Sequence, residues 1–248
     1  MSLHIFPDSQ TAARATAVEI VRRAEAAQTR HGHFTLVLSG GSTPRAVYHL
    51  LATSFQNDID WSNVYVFWGD ERCVPPDHAD SNYHMARLAL LDFVPIPGDH
   101  IYRFHAELEP ETAASAYESA LRTFFDARSR GETPFPRFDL VLLGMGDDAH
   151  TASLFPGTPA LDETERWVAA QYVEKLATWR LTLTPPALNA AESVLFLATG
   201  SGKASALAAV LEGEYDPQQF PSQLIQPASG NLSWYVDEAA AAFLTHRG

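Results

Sequence analysis

Cysteine is nearly absent from this 248-residue chain: Cys73 stands alone, so no intramolecular disulfide can form. That usage fits a reducing compartment. No apolar run approaches the roughly 20 residues that a membrane-spanning helix needs. The opening MSLHIFPDSQ lacks the basic stretch followed by an apolar one that marks a secretory signal. The cytoplasm is the simplest expected location. Basic residues are scarce as well: 17 Lys and Arg against 30 Asp and Glu give a formal net charge of −13. This argues against a nucleic-acid surface and against an anionic membrane as partner. An anionic ligand would therefore require positive charge concentrated in its pocket. No G-x-S-x-G elbow occurs, which disfavours a serine hydrolase of that type. No repeat, low-complexity tract or linker divides the chain.

What is present is an ordinary globular balance, 46% apolar and 19% charged. Strand-like and helix-like segments alternate. A short LHIF strand precedes an alanine-rich helix that Asp8 can cap and that runs to about Gly32. FTLVLS (34–39), VYVFW (64–68), FDLVLLG (138–144) and SVLFLAT (193–199) read as buried strands. Helices are expected after the GGSTP turn through Leu51, over Asn82–Leu91, over Glu111–Arg130, after Lys203, and over the alanine-rich end of the chain. WVAAQYV and WRLTLT alternate like half-exposed strands. The pattern predicts an α/β fold, a mostly parallel doubly wound (Rossmann-like) sheet with helices on both faces, as one domain over 1–248.

Ligands of such sheets sit at the carboxyl ends of the strands. In FDLVLLGMGDDAHTASLFPG a buried strand ends at a glycine turn, followed by Asp147, Asp148 and His150. An imidazole is the default general base near neutral pH, and a neighbouring carboxylate can orient it and support its charge. The plainer reading is a helix start with an aspartate cap and a solvated His150. In SGGSTPR (39–45), glycines 40 and 41 let backbone approach an anion, and N–H groups with the hydroxyls of Ser42 and Thr43 can bind phosphate oxygens. TGSGKA (199–204) repeats that design with Lys203. It is not a Walker A loop, because Leu197 stands where the first glycine belongs and Ala204 replaces Ser/Thr. WGDERCVPP (68–76) crowds Asp70, Glu71 and Arg72 at a strand end, where charges must be paired or hydrated; a salt-bridge cluster fixing the loop is the alternative, especially for Glu71.

Other candidates are weaker. GMGDDA matches a dinucleotide fingerprint, but it follows a late strand, and its aspartates oppose a pyrophosphate. Asp77, His78, Asp80 and His84 follow no metal-ligand spacing, so no metal is expected. His31 and His33 suit a helix C-terminus. Cys73 and the five tryptophans read most simply as packing residues.

Taken together, the motifs make the chain resemble the 6-phosphogluconolactonases, members of the glucosamine-6-phosphate isomerase/6-phosphogluconolactonase family. The resemblance spans nearly the whole length. It rests on SGGSTP at Ser39, GDER-VP at Gly69, SN at Ser81, GMG-D-HTASLFPG at Gly144, RLTLT at Arg180 and TGSGKA at Thr199. It implies hydrolysis of 6-phospho-D-glucono-1,5-lactone to 6-phosphogluconate, in the oxidative pentose phosphate pathway, without a cofactor. It further implies His150 as general base, Arg180 and Lys203 with the SGGSTP loop on the phosphate, and Arg72 near the lactone carbonyl. One departure is Ala149, where the family usually has glycine.

The residue chemistry agrees. A lactone is already an activated ester, so hydrolysis needs a base for water and donors for the developing oxyanion. His150 would activate water, Asp148 orient the imidazole, and Arg72 stabilise the carbonyl oxygen. The expected partner is a small sugar-phosphate lactone, with a monomer as the simplest state and association of copies left open. Two competitors share the scaffold. A glucosamine-6-phosphate deaminase would carry a glutamate where alignment on the histidine places Phe155. A non-catalytic sugar-phosphate sensor would not need His150 and Asp148.

Overall fold

A computed structural model describes residues 1–129 and 134–246. Along the chain the elements run β1 (Ser2–Phe6), α1 (Ser9–His31), β2 (Phe34–Leu38), α2 (Ser42–Thr53), β3 (Val64–Trp68), β4 (Asp70–Arg72), α3 (Asn82–Ala89) and α4 (Pro110–Ser129). They continue with β5 (Leu140–Leu143), β6 (Val168–Val173), β7 (Thr178–Leu183), α5 (Pro185–Asn189), β8 (Val194–Ala198), α6 (Ala204–Glu212) and β9 (Leu232–Asp237). Six strands form an all-parallel sheet in the order β1-β9-β8-β5-β2-β3. The central strands β2, β5 and β8 are buried at every residue. This is why they read as unbroken apolar runs: helices flanking a parallel sheet leave no wet face.

Local chemistry sets the element ends. The Asp8 carboxylate accepts the Thr11 N–H at 2.7 Å and starts α1, while Gly32, at φ 84°, ends it. At that same end Asp139 joins three segments. Its Oδ2 accepts from the Thr35 N–H and hydroxyl at 2.9 and 2.7 Å, and its Oδ1 meets His31 Nε2 at 2.9 Å. The rings of Phe67, Phe124, Phe125 and Phe138 stand edge to face and anchor α4 to the sheet.

A second, three-stranded antiparallel sheet, β4-β7-β6, grows from the end of β3. Gly69 joins the two sheets: its N–H donates to the Leu38 carbonyl at 2.9 Å, and its carbonyl accepts the Leu183 N–H at 2.7 Å. The segment expected as a charged loop, residues 70–72, is therefore a strand. WVAAQYV and WRLTLT supply the other two strands, and their alternation reflects one wetter face.

Other expectations need correction. The helix expected over Asn82–Leu91 ends at Ala89, because Leu90 leaves helical geometry at φ −141° and ψ −59°. The helix expected over Glu111–Arg130 occupies Pro110–Ser129, and residue 130 lies outside the described residues. No helix forms over the alanine-rich end within the described residues. One turn, from the Asp237 carbonyl to the Ala241 N–H at 2.9 Å, is followed by further turns. A segment that short cannot repay helix nucleation. Of the tryptophans, Trp61, Trp68, Trp167 and Trp234 are core, but Trp179 is 39% exposed and packs edge-on against Tyr172. Among the described residues, no helix is long and apolar enough to cross a membrane.

Candidate active site

In the large sheet β2 lies between β3 and β5, so the chain passes from β2 to one neighbour and later returns to the other. The crevice at the carboxyl ends of such strands is where a doubly wound sheet takes its ligand. A cleft of about 550 Å³ opens there. All nine residues singled out from the sequence line it: Gly40, Gly41, Ser42, Thr43, Arg72, Asp148, His150, Arg180 and Lys203. An apolar recess of about 390 Å³ beneath α6 has no charged side chain in its wall.

Two glycine turns line the cleft. Gly41 (φ 106°, ψ 168°) and Gly200 (φ 93°, ψ 149°) adopt nearly the same conformation, which side chains other than glycine rarely reach. Each is the cap residue of the helical turn that follows, and neither start has a side-chain cap. Their leading N–H groups are thus left for a ligand. The Thr43 and Thr199 hydroxyls meet at 3.2 Å and tie the two loops together. Close packing also requires glycine at 40: a Cβ there would lie 1.9 Å from Asn82 Oδ1.

Three cations, Arg72, Arg180 and Lys203, line the same cleft. Arg72 on β4 is the register partner of Arg180 on β7, which puts both on one face of the small sheet. Like charges directly opposite destabilise a strand pair unless an anion lies between them. Burial, and then the Arg72 charge, push the Arg180 guanidinium below its ordinary value. Arg72 Nη1 donates to the Asp80 carbonyl at 2.6 Å. Among the described residues, the Arg180 and Lys203 side chains have no hydrogen-bond or ion-pair partner.

The cleft also holds a dyad. His150 does not start a helix; residues 146–150 form a closed turn. The Gly146 N–H donates to the His150 carbonyl at 2.8 Å, and the Ala149 carbonyl accepts the Ser222 N–H at 3.0 Å and hydroxyl at 2.7 Å. Ala149 sits at φ 62°, a conformation that suits glycine, and these bonds hold it there. His150 Nδ1 lies 2.6 Å from Asp148 Oδ1. Donors from His150 and Lys175 hold the Asp148 carboxyl well below the usual range, against the opposing effect of partial burial. An ionised carboxylate only accepts, so the proton belongs on Nδ1, and Nε2 carries the lone pair. Phe155 stacks on the imidazole at 4.2 Å and 24°. Gly146 backs the pair: a Cβ there would come within 2.0 Å of Nδ1.

The neighbouring carboxylates serve as framework. Glu71 faces away from Asp70 and Arg72 and makes no salt-bridge cluster. It accepts the N–H groups of Arg72, Asn82 and Tyr83 at 2.8, 2.7 and 2.8 Å and the Ser81 hydroxyl at 3.0 Å, fastening β4 to the start of α3. Burial pushes its carboxyl up. Asp70 accepts the Ser153 hydroxyl at 2.8 Å, linking the small sheet to the histidine loop. Asp77, His78, Asp80 and His84 do not converge; the His78 ring instead accepts the Asp80 N–H at 3.1 Å. Burial pushes Cys73 up to about 11, as suits a packing thiol.

Sequence reasoning missed Lys175, at the tip of the hairpin between β6 and β7, whose Nζ donates to Asp148 Oδ2 at 2.9 Å. A signal was available. The chain has fifteen arginines and only two lysines, Lys175 and Lys203, and both line the cleft.

The profile of the family of glucosamine-6-phosphate isomerases and 6-phosphogluconolactonase matches residues 7–234. The chain is 44% identical over 246 residues to a 6-phosphogluconolactonase of Nostoc sp., covering 98% of each. It is 46% identical over 222 residues to that of Synechocystis sp., covering 89% of each. The solved 6-phosphogluconolactonase of Trypanosoma cruzi superposes with a TM-score of 0.85 at 30% identity, over 99% of this chain and 97% of that one.

Proposed function

We infer that this chain, which belongs to the glucosamine-6-phosphate isomerase/6-phosphogluconolactonase family, is an enzyme that hydrolyses 6-phosphogluconolactone to 6-phosphogluconate. The observation that carries the assignment of roles is one cleft lined both by a carboxylate-held imidazole and by two cations, Arg180 and Lys203, that have no hydrogen-bond or ion-pair partner among the described residues. A sugar phosphate carries about −1.5 to −2 charge at pH 7. In this reading Arg180, Lys203 and the uncapped turns at Gly41 and Gly200, with Ser42 and Thr43, take the phosphate, which leaves the lactone ring toward His150.

Catalysis then needs one proton relay. Nε2 of His150 takes a proton from water as its oxygen adds to the lactone carbonyl. Asp148 fixes the Nδ1–H tautomer and supports the imidazolium. Arg72, braced by the Asp80 carbonyl, stabilises the oxyanion. As the ring C–O bond breaks, the imidazolium returns its proton to the departing ring oxygen. The deaminase reading lacks its carboxylate: Phe155 occupies that position and stacks on the base instead. We place this activity in the cytoplasm, in keeping with the single cysteine, and in a monomer as the simplest state.

The test is a continuous assay that couples fresh 6-phosphogluconolactone to 6-phosphogluconate dehydrogenase, with spontaneous hydrolysis subtracted. Turnover above the spontaneous rate is expected, with unphosphorylated gluconolactone a poor substrate. Ammonia release from glucosamine 6-phosphate, or binding without turnover, would overturn the reading.

A further inference from the structure

We propose that Lys175 is a positioning residue that divides the Asp148 carboxylate with His150 and thereby sets the lower edge of the pH range in which the base works. The inference rests on the functional reading above and goes beyond it, because no role of Lys175 follows from the reaction itself. Its first support is geometric. The two oxygens of Asp148 serve different residues: Oδ1 takes His150 Nδ1 at 2.6 Å and the His150 N–H at 3.3 Å, and Oδ2 takes Lys175 Nζ at 2.9 Å. The lysine reaches this carboxylate from a different element, the β6–β7 hairpin, whose tip is pinned by Ala177 at φ 48° and by the Ala177 N–H to Glu174 carbonyl bond at 3.1 Å.

Composition is the second support. Everywhere outside the cleft this chain uses arginine for positive charge, and lysine appears only at positions 175 and 203. An arginine fork would match both oxygens of Asp148 and compete with the imidazole for Oδ1. An ammonium is a point donor that satisfies one oxygen and leaves the other.

The electrostatic consequence follows from the signs. A carboxylate beside an imidazole favours the imidazolium, which cannot act as a base. The Lys175 charge opposes that preference through the same carboxylate. The other charged groups that line the cleft with His150 are Asp147 on its own loop, Asp70, Arg72 and Arg180 on the small sheet, and Lys203 at the start of α6. Of all these cations only Lys175 touches Asp148, so it acts on the base most directly. Because Lys175 is 68% exposed, solvent screens the effect and keeps it modest.

The test is the pH dependence of kcat/KM for 6-phosphogluconolactone in the wild type, Lys175→Ala and Lys175→Arg, with circular dichroism confirming that each is folded. In Lys175→Ala the acid limb should move to higher pH by about half a unit, a roughly threefold loss on that limb, with a smaller loss on the alkaline side. Lys175→Arg should not move the limb to higher pH and should lower its height, because the fork keeps the positive charge but draws Asp148 from His150. If Lys175→Ala follows the wild-type profile, or only raises KM equally at every pH, the inference falls while the lactonase reading stands. If the wild type itself does not exceed spontaneous hydrolysis, it is the functional reading that fails.

Discussion

At the scale of single residues, two positions separate packing from chemistry. Gly146 is held to glycine by what lies behind it, since a Cβ would stand 2.0 Å from His150 Nδ1 and 2.6 Å from Asp148 Oδ1. Gly146→Ala should therefore leave folding largely intact and push the dyad off its line. A misplacement of about 1 Å at a reacting group costs on the order of 10²-fold. Steady-state kinetics should show that loss in kcat, with affinity for 6-phosphogluconate unchanged. Lys203 makes the complementary case. In the proposed reading its charge serves the phosphate, a group that does not react, so Lys203→Ala should chiefly raise KM. A cost of about 1.5–3 kcal/mol is the range for hydrogen bonds to charged groups. Unphosphorylated gluconolactone should respond little to that substitution, and an equal loss on both substrates would remove Lys203 from the phosphate site. His150, Asp148 and Lys203 were legible in the sequence because each sits in a glycine-rich turn after a buried strand, whereas Arg180, inside β7, was legible only through the family resemblance. Lys175 was not, because its hairpin reaches the dyad only through the antiparallel pairing of β6 and β7.

Among elements, the parallel sheet was the easiest part to read and the small sheet the hardest. Strands such as FTLVL and VLFLA are buried throughout and announce themselves as apolar runs. The three residues Asp70–Arg72 carry three charges and resemble a loop, yet pairing with β7 makes them a strand. Tertiary pairing overrides local composition there. Glu71 shows what holds that strand in place, since four donors converge on its carboxylate from β4 and the start of α3. A glutamine at 71 would turn an NH₂ toward donors. Glu71→Gln should cost about 1–3 kcal/mol, the penalty for leaving buried polar groups unpaired. A denaturant titration would check this, and a midpoint equal to that of the wild type would contradict it.

Across the whole molecule, the acidic composition and the cationic cleft belong to one design: a chain of net charge −13 keeps its two lysines and the facing pair Arg72 and Arg180 at the anion site. The carboxylates elsewhere set the acid stability. Glu107 is held down at about 2 by the Arg103 fork, and Glu212 at about 2 by the N–H groups of Thr245 and His246. Groups with depressed folded values stabilise the fold above their unfolded range, and that stability is lost as pH falls. The melting temperature should thus hold steady from neutral pH to about 5 and drop between about 4.3 and 2, with Glu71, pushed up by burial, acting in the opposite direction.

The central claim is that His150, oriented by Asp148, is the base that activates water, and the most direct measurement is kcat for His150→Asn in the coupled lactone assay. Asparagine keeps a polar side chain of moderate size but cannot take the proton. The expected result is a fall in kcat of about 10²–10⁴-fold, with 6-phosphogluconate still binding as it does to the wild type. A folded His150→Asn protein with near-normal kcat would contradict the mechanism.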